Sequence, residues 1–371
     1  MIFGIPKEIK NNENRVSITP SGVSALTKLG KKVIIETNAG FGSGFLDSDY
    51  EQAGATIANA ALDVWTAADI IIKVKEPLSS EYELLKNSQT LFTYLHLAPN
   101  PELTDVLIKK KITAIAYETV QLENKSLPLL APMSEVAGRM SIQVGATLLQ
   151  KYYGGSGVLL GGVPGVAPAD VLIIGGGVVG ANAAKMAIGL GARVTIFDIS
   201  KSRLSWLDDT FGGRLTTLIF NDYDLASEIK KADLVIAAVL VAGAKAPKIV
   251  SEDMVKSMKK GSVIVDVAID QGGSVATIDR VTTHDNPCYE KHGIIHYSVA
   301  NIPGAVPRTS TLALTSVTLP YILEIAKKGI SSALSENSSL KSGLNIYNGV
   351  VTNLAVAESQ NLQYNSVDKF F

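Results

Sequence analysis

The sequence is short of several things, and each shortage narrows what the chain can be. It holds one cysteine in 371 residues, Cys288. No disulfide can therefore form within the chain, which fits a reducing compartment and points to the cytoplasm. Charged residues make up only 19%, and 34 Lys+Arg against 35 Asp+Glu leave a net charge of -1. No whole-protein field is available to draw nucleic acid or an anionic membrane surface. Long apolar runs are also missing, although the mean hydropathy is +0.22. The longest uncharged stretch, YYGGSGVLLGGVPGVAPA at residues 152–169, is broken by glycines and two prolines. It is too polar to insert into a bilayer. The opening residues MIFGIPKEIKNNENR carry no apolar h-region and are not expected to act as a signal peptide. Low charge without a spanning segment leaves two explanations, buried parallel strands and large interfaces in an oligomer.

What is present is a regular alternation. At about 150 residues per domain the length suggests roughly two domains. Short β-branched runs expected as strands fall at 32–36, 69–75, 90–95, 113–118, 171–174, 193–198, 234–239, 262–267 and 294–298. Helical patterns lie between them. One begins with the capping residue Thr19 and Pro20 and stops at Gly30. Another runs from Pro101 to three lysines ending at Lys111, which suit a helix C-terminus. Strand–helix alternation argues for an α/β fold with parallel sheets. The series occurs twice, once up to about residue 128 and once from about 170 to 300. One long helix is expected between them, over 133–153. Another helical stretch follows residue 305, interrupted by Pro320, and is expected to return to the first lobe.

The strongest local signal is VLIIGGGVVG at 171–180, a buried strand followed by Gly175-x-Gly177-x-x-Gly180 and a small-residue helix. In a dinucleotide-binding turn the first glycine permits the tight turn and the second lets the backbone approach a pyrophosphate. The third lets helix and strand pack closely. The helix N-terminus then offers unpaired N–H groups to the phosphates. A second strand ends at Asp198, 21 residues after Gly177, placed to accept hydrogen bonds from the adenosine ribose. A carboxylate there repels a 2′-phosphate and favours NAD over NADP, although Lys201 and Arg203 lie close downstream. Arg203 is either a cofactor contact over the adenine or ribose or an exposed helix cation.

Other strand ends are chemically loaded. ADLVIAAVLVAGA closes near Val239 and Leu240, a usual place for contacts to the nicotinamide-side ribose. SVIVDVAIDQGG closes at Asp270, which is either a cleft-facing acid or a turn aspartate. In the first lobe Arg15 precedes a helix start, while Lys75 and His96 each end an apolar strand shortly before a proline. If those two strands are parallel neighbours, both groups project into one cleft. Arginine pairs with a carboxylate, lysine polarises a carbonyl oxygen, and histidine transfers protons near neutral pH. Together they suit a small 2-oxo or 2-amino acid. The alternatives are a surface arginine, a snorkelling lysine and a core histidine. His284, His292 and His296 lie in TTHDNPCYEKHGIIHYS. With one thiol and no HExxH-like helix they are expected as loop and strand histidines, and no metal is expected.

These segments together resemble the alanine dehydrogenase / pyridine nucleotide transhydrogenase family. GIPKEIKNNENRVSITPSGVSALTKLGKKV is similar to the family's N-terminal signature, with Ser17 where alanine is usual. LIIGGGVVGANAAKMAIGLGARVTIFD is similar to its second signature, with Val179 where alanine is common. NAGFGSGFLDSDYEQAGA, VKEPL, YLHLAPN, PMSEVAGRMS, LVAGAKAPKIV, VDVAIDQGG and VANIPGAVPRTST extend the likeness over essentially the whole chain. The resemblance implies two Rossmann-like doubly wound parallel-sheet domains joined by long helices. A discontinuous substrate domain would comprise residues 1–128 plus 307–371, and an NAD-binding domain 129–306. It implies reversible NAD-dependent deamination of L-alanine to pyruvate and ammonium, serving alanine catabolism in a cytoplasmic homohexamer. It places the substrate carboxylate on Arg15 and Lys75, His96 as acid/base, and Asp270 near the ammonia or water. Cofactor contacts are implied for Met133, Ser134, Val178, Val179, Asp198, Arg203, Val239, Leu240, Val267, Ala268, Ile269, Asp270, Val299 and Asn301. These join Gly175, Gly177 and Gly180. The rival readings are the soluble NAD(H)-binding subunit of a proton-translocating transhydrogenase, a dehydrogenase for a longer amino acid such as saccharopine, and a non-catalytic cofactor binder.

Overall fold

The β-branched runs of the first 120 residues form β1 (Ile2–Ile5), β2 (Lys32–Glu36), β3 (Thr56–Ala58), β4 (Ile70–Ile72), β5 (Thr90–Thr93) and β6 (Thr113–Ala116). The computed structural model describes residues 1–239, 246–269 and 272–371. A second series follows: β7 (Asp170–Ile174), β8 (Arg193–Asp198), β9 (Thr216–Ile219), β10 (Leu234–Ala237), β11 (Val263–Asp266), β12 (Cys288–Lys291) and β13 (Ile294–Tyr297). β14 (Leu344–Tyr347) and β15 (Val350–Val351) come last. The chain divides into two units. One is Met1–Met133 with Val306–Phe371, and the other is Ser134–Ala305.

The first unit carries one eight-stranded sheet in the order β15-β14-β6-β5-β4-β1-β2-β3. β1 to β6 pair in parallel, and β14 and β15 add an antiparallel edge. The second unit carries a seven-stranded sheet in the order β12-β13-β11-β10-β7-β8-β9. It is parallel except for β12. Both parallel portions show the doubly wound order 3-2-1-4-5-6. In each, the order reverses beside the first strand, between β1 and β4 and between β7 and β10. Ligands bind at such a reversal, outside the carboxyl ends of the strands.

The central strands β4, β5, β6, β10 and β11 are buried at every position. Strands covered on both faces need apolar side chains on both, which accounts for part of the low charge. Helix Pro20–Lys28 starts as expected: the Thr19 hydroxyl accepts from Gly22 N–H and proline occupies the first turn.

Several expected spans differ. The strand expected over 69–75 stops at Ile72, because the N–H of Val74 turns to the Glu8 carboxylate at 2.6 Å. The strand expected over 90–95 stops at Thr93, because the N–H groups of Leu95 and His96 turn to Glu118. The connecting helix runs over Ala131–Leu148 and gives way to a 3-10 turn at Lys151–Tyr153 closed by left-handed Gly154. Pro320 does not interrupt its helix, which is continuous over Pro307–Lys328. A proline there forfeits one backbone hydrogen bond. Burial of Leu314, Thr315 and Thr318 before it and Ile322 and Ile325 after it holds both halves in line. The strands not expected, β1, β3, β9, β12, β14 and β15, are two to four residues long and mostly lie towards the sheet edges.

Candidate active site

The second unit presents the glycine-rich turn at the carboxyl end of β7. Gly175 has φ +100°, the left-handed region that favours glycine, and a Cβ there would lie 2.8 Å from the Ala238 carbonyl oxygen. A Cβ on Gly180 would overlap the Gly175 carbonyl oxygen, so helix Val178–Gly189 meets β7 only through a glycine. At Gly177 no atom lies within 4 Å of where a Cβ would stand. The backbone is bare there, beside the first N–H groups of the helix. That space is a cradle a side chain would fill, and it fits a pyrophosphate.

Asp198, half-buried at the end of β8, closes the turn. Its Oδ2 accepts from Gly176 N–H at 2.7 Å and its Oδ1 from Ser200 N–H at 2.8 Å. Each oxygen keeps lone-pair capacity for a ribose hydroxyl. Arg203 donates from Nε to the Gly176 carbonyl, and its guanidinium lies 4.0 Å from the Trp206 ring centroid. Arg203 is thus built into the turn rather than being a free helix cation. Val178 is exposed at the helix start, while Val179 is half-buried. A Cβ on Gly138, one turn beyond Ser134, would overlap the Val179 carbonyl oxygen, so the helix carrying Ser134 packs tightly on the turn.

The loop after β11 is organised by an acid not singled out from the sequence. The Asp266 carboxylate is buried and accepts from the N–H groups of Ala268, Ser274 and Val275. Burial pushes its pKa up against those three donors. It fixes Val267, Ala268 and Ile269 at the strand's carboxyl end. Val239 lies at the carboxyl end of β10, and Val299 is buried after β13. Asn301 has φ +64°, and its carbonyl accepts from Gly304 N–H. Leu240 and Asp270 lie outside the described residues. His296 is buried between Thr277 Oγ1 and the Ile294 carbonyl, and His284 and His292 lie in turns. Among the described residues no group of three or more His, Cys, Asp or Glu could hold a metal ion.

The first unit carries the three candidate residues after strands at or next to its own sheet reversal. Arg15 follows β1, Lys75 follows β4 and His96 follows β5, and β4 and β5 are parallel neighbours. Arg15 is 2% exposed. Its Nε and Nη2 donate to the two carboxylate oxygens of Glu13, a bidentate pair. Burial pushes the Glu13 carboxyl up, but the Arg15 guanidinium outweighs it and holds it below the usual range. Arg15 Nη1 lies 3.1 Å from Met133 Sδ, a weak acceptor. Met133, expected at the cofactor, is therefore packed against the candidate carboxylate-binding residue.

Lys75 is half-buried, and its backbone is held by Glu8, whose Oε1 faces the N–H groups of Val74 at 2.6 Å and Lys75 at 3.4 Å. Glu8 in turn pairs with fully buried Lys73 at 3.2 Å, and Lys73 with Glu81 at 2.9 Å. Burial favours neutral Lys73, but the two carboxylates outweigh it and keep it protonated. His96 is exposed at 45% of its side chain and has φ +47°. Its ring stacks on Tyr94 at 6.0 Å, whose hydroxyl donates to the Leu129 carbonyl. Glu76 lies close by, paired with Lys10.

One acid stands behind each of the three: Glu13 behind Arg15, Glu8 behind Lys75, Glu118 behind His96. Sequence reading missed all three, and Lys73 with them. Glu13 alone left a local trace, two residues before Arg15.

The matches to known proteins divide the chain near the first boundary between the two units. The family model "Alanine dehydrogenase/PNT, N-terminal domain" matches residues 4–137, and "Alanine dehydrogenase/PNT, C-terminal domain" matches residues 141–354. A Methanococcus maripaludis protein named alanine dehydrogenase is 63% identical over 369 residues, covering 100% of this chain and 99% of its own. The chain belongs to the alanine dehydrogenase/PNT family. A solved structure titled L-alanine dehydrogenase superposes with TM-score 0.94 at 52% identity, covering 97% of this chain and 99% of that one. A transhydrogenase from Sinorhizobium meliloti superposes with TM-score 0.80 at 25% identity, covering 96% and 100%. The family's C-terminal model extends past Ala305, where the second unit ends, into the segment that packs with the first. Among the described residues no helix is long and apolar enough to cross a membrane.

Proposed function

We propose that the chain is an L-alanine dehydrogenase. It catalyses, reversibly, L-alanine + NAD⁺ + H₂O giving pyruvate, ammonium, NADH and a proton. The observation that carries this reading is the trio at the first sheet's reversal: a buried, edge-pinned arginine, a lysine and an exposed histidine on adjacent strand ends. A protein that only passes reducing equivalents between nucleotides needs no amino-acid site. The likeness at 63% to a protein named alanine dehydrogenase, against 25% to a transhydrogenase, supports the same choice.

The residues divide the work. Arg15 is held edge-on by Glu13, which fixes the orientation in which its guanidinium would take the substrate carboxylate. Lys75 adds a second positive charge at the carboxylate and the developing carbonyl. His96 takes the proton of the water that attacks the iminium carbon, then returns a proton as the carbinolamine loses ammonia. Asp270, on its place after β11, is the second proton-handling group. Fixing a three-carbon acid by its carboxylate supplies much of the rate through positioning. Gly175, Gly177 and Gly180 with Asp198 hold NAD, and the Asp198 carboxylate disfavours NADP. When bound, NAD⁺ supplies the two-electron acceptor.

We take the assembly as a homohexamer in the cytoplasm. The exposed apolar side chains Tyr152, Leu159, Val163 and Val166 support a buried interface, and the single cysteine supports the compartment. The test is a panel of small L-amino acids and 2-oxo acids with NAD(H) and NADP(H). Alanine with NAD⁺ is expected to lead by at least tenfold. Tight NADH binding with no amino-acid-dependent turnover would favour the transhydrogenase subunit instead.

A further inference from the structure

We propose that Glu118 is a positioning residue for His96: its carboxylate fixes the backbone turn that aims the imidazole. This rests on the reading of His96 as the proton-handling group. Glu118 follows β6, the strand beside β5. Its Oε1 accepts from Leu95 N–H at 3.1 Å and from His96 N–H at 2.7 Å, and its Oε2 faces Leu95 N–H at 3.2 Å. These two N–H groups are the ones β5 leaves unpaired where it ends. His96 there has φ +47°, a left-handed conformation that strains a non-glycine residue and persists only where surroundings impose it. Charge-assisted hydrogen bonds to a single carboxylate are the interaction that imposes it.

The ring itself is held more loosely. It stacks on Tyr94, and its Nδ1 stands 4.0 Å from Glu118 Oε1, beyond hydrogen-bond reach. The backbone contacts are therefore the stronger restraint. Without them residue 96 relaxes towards negative φ and the ring moves away from its working position. A displacement of about 1 Å at a catalytic group costs on the order of 100-fold in rate.

The experiment is a double-mutant cycle on the full chain, with kcat, KM for pyruvate, NADH affinity and thermal midpoint read together. Glu118→Ala is expected to lower kcat 10- to 100-fold, with NADH affinity and KM within about threefold of the parent. Glu118→Gln keeps an acceptor oxygen for the two N–H groups and is expected to recover most of that loss. It also serves if the alanine variant folds poorly. In a His96→Ala background, Glu118→Ala is expected to cost less than about twofold more, since both changes remove the same contribution. Losses that multiply, or a glutamine variant as impaired as alanine, would overturn the positioning role. A severely impaired His96→Ala beside a normal Glu118→Ala would overturn that role alone. A His96→Ala chain with normal turnover would overturn the underlying reading of His96.

Discussion

Gly177→Ala separates what a glycine does for the ligand from what it does for the fold. Gly177 has φ -64° and ψ -160°, a backbone open to any L residue, and no protein atom lies within 4 Å of the added methyl. The free chain should tolerate it. Restricting the unfolded state even favours folding by about 0.4–1 kcal/mol. The cofactor should not tolerate it, because on the proposed assignment the methyl would stand where a pyrophosphate approaches the helix N-terminus. Losing one hydrogen bond to a charged group removes about 1.5–3 kcal/mol. That is roughly 10- to 150-fold in Kd. Gly180→Ala is the control: its methyl would overlap the Gly175 carbonyl, and helix and strand must separate at a cost of about 1–3 kcal/mol or more. NADH fluorescence titration and thermal unfolding of both variants read the two effects. Gly177→Ala should keep its thermal midpoint and lose affinity, while Gly180→Ala should lose both. A Gly177→Ala chain that binds NADH normally, or one that unfolds as early as Gly180→Ala, would refute the assignment of the turn.

Three further outcomes are expected. Lys73→Met should destabilise the chain by about 3–5 kcal/mol in denaturant unfolding, because it strands the Glu8 and Glu81 carboxylates without their shared ammonium. Adding Glu8→Gln should restore part of that loss, and a stable Lys73→Met single variant would contradict the pairing. Asp198→Ala should narrow the preference for NAD⁺ over NADP⁺ in kcat/KM by tenfold or more, and an unchanged ratio would remove Asp198 from the ribose. Glu13 is held lower in the folded chain than its ordinary value of 4.5. It therefore contributes stability above pH about 4.5 that fades as pH falls through the lower folded value. Glu13→Gln should flatten the acid side of the stability–pH curve; an unchanged acid limb would place that stability elsewhere.

Features whose causes are local are legible in the sequence itself. Gly175, Gly177, Gly180 and Asp198 lie within one strand–helix–strand segment, and each role follows from spacing along it. Lys75 and His96 are legible as polar groups closing apolar runs, and the parallel pairing of β4 with β5 puts them on neighbouring strand ends. The acids behind them are not legible. Glu8 meets Val74 across 66 residues and Glu118 meets His96 across 22, and only the strand order decides which acid reaches which turn. The same contacts end β4 and β5 early, so the overlong strand expectations and the missed acids share one cause. Asp266 reads as the last residue of an apolar strand, and its hold on the following loop exists only once that loop folds back. The boundary between the units falls inside helix Ala131–Leu148, between Met133 and Ser134, where no change in composition marks it.

The most direct measurement uses the purified chain alone with L-alanine deuterated at C2 and NAD⁺. Hydride transfer from the alanine Cα, with the chain's own residues handling substrate, predicts deuterated NADH formed one-for-one with pyruvate and ammonium. NADH bound without turnover, or NADH formed without the label, would contradict it.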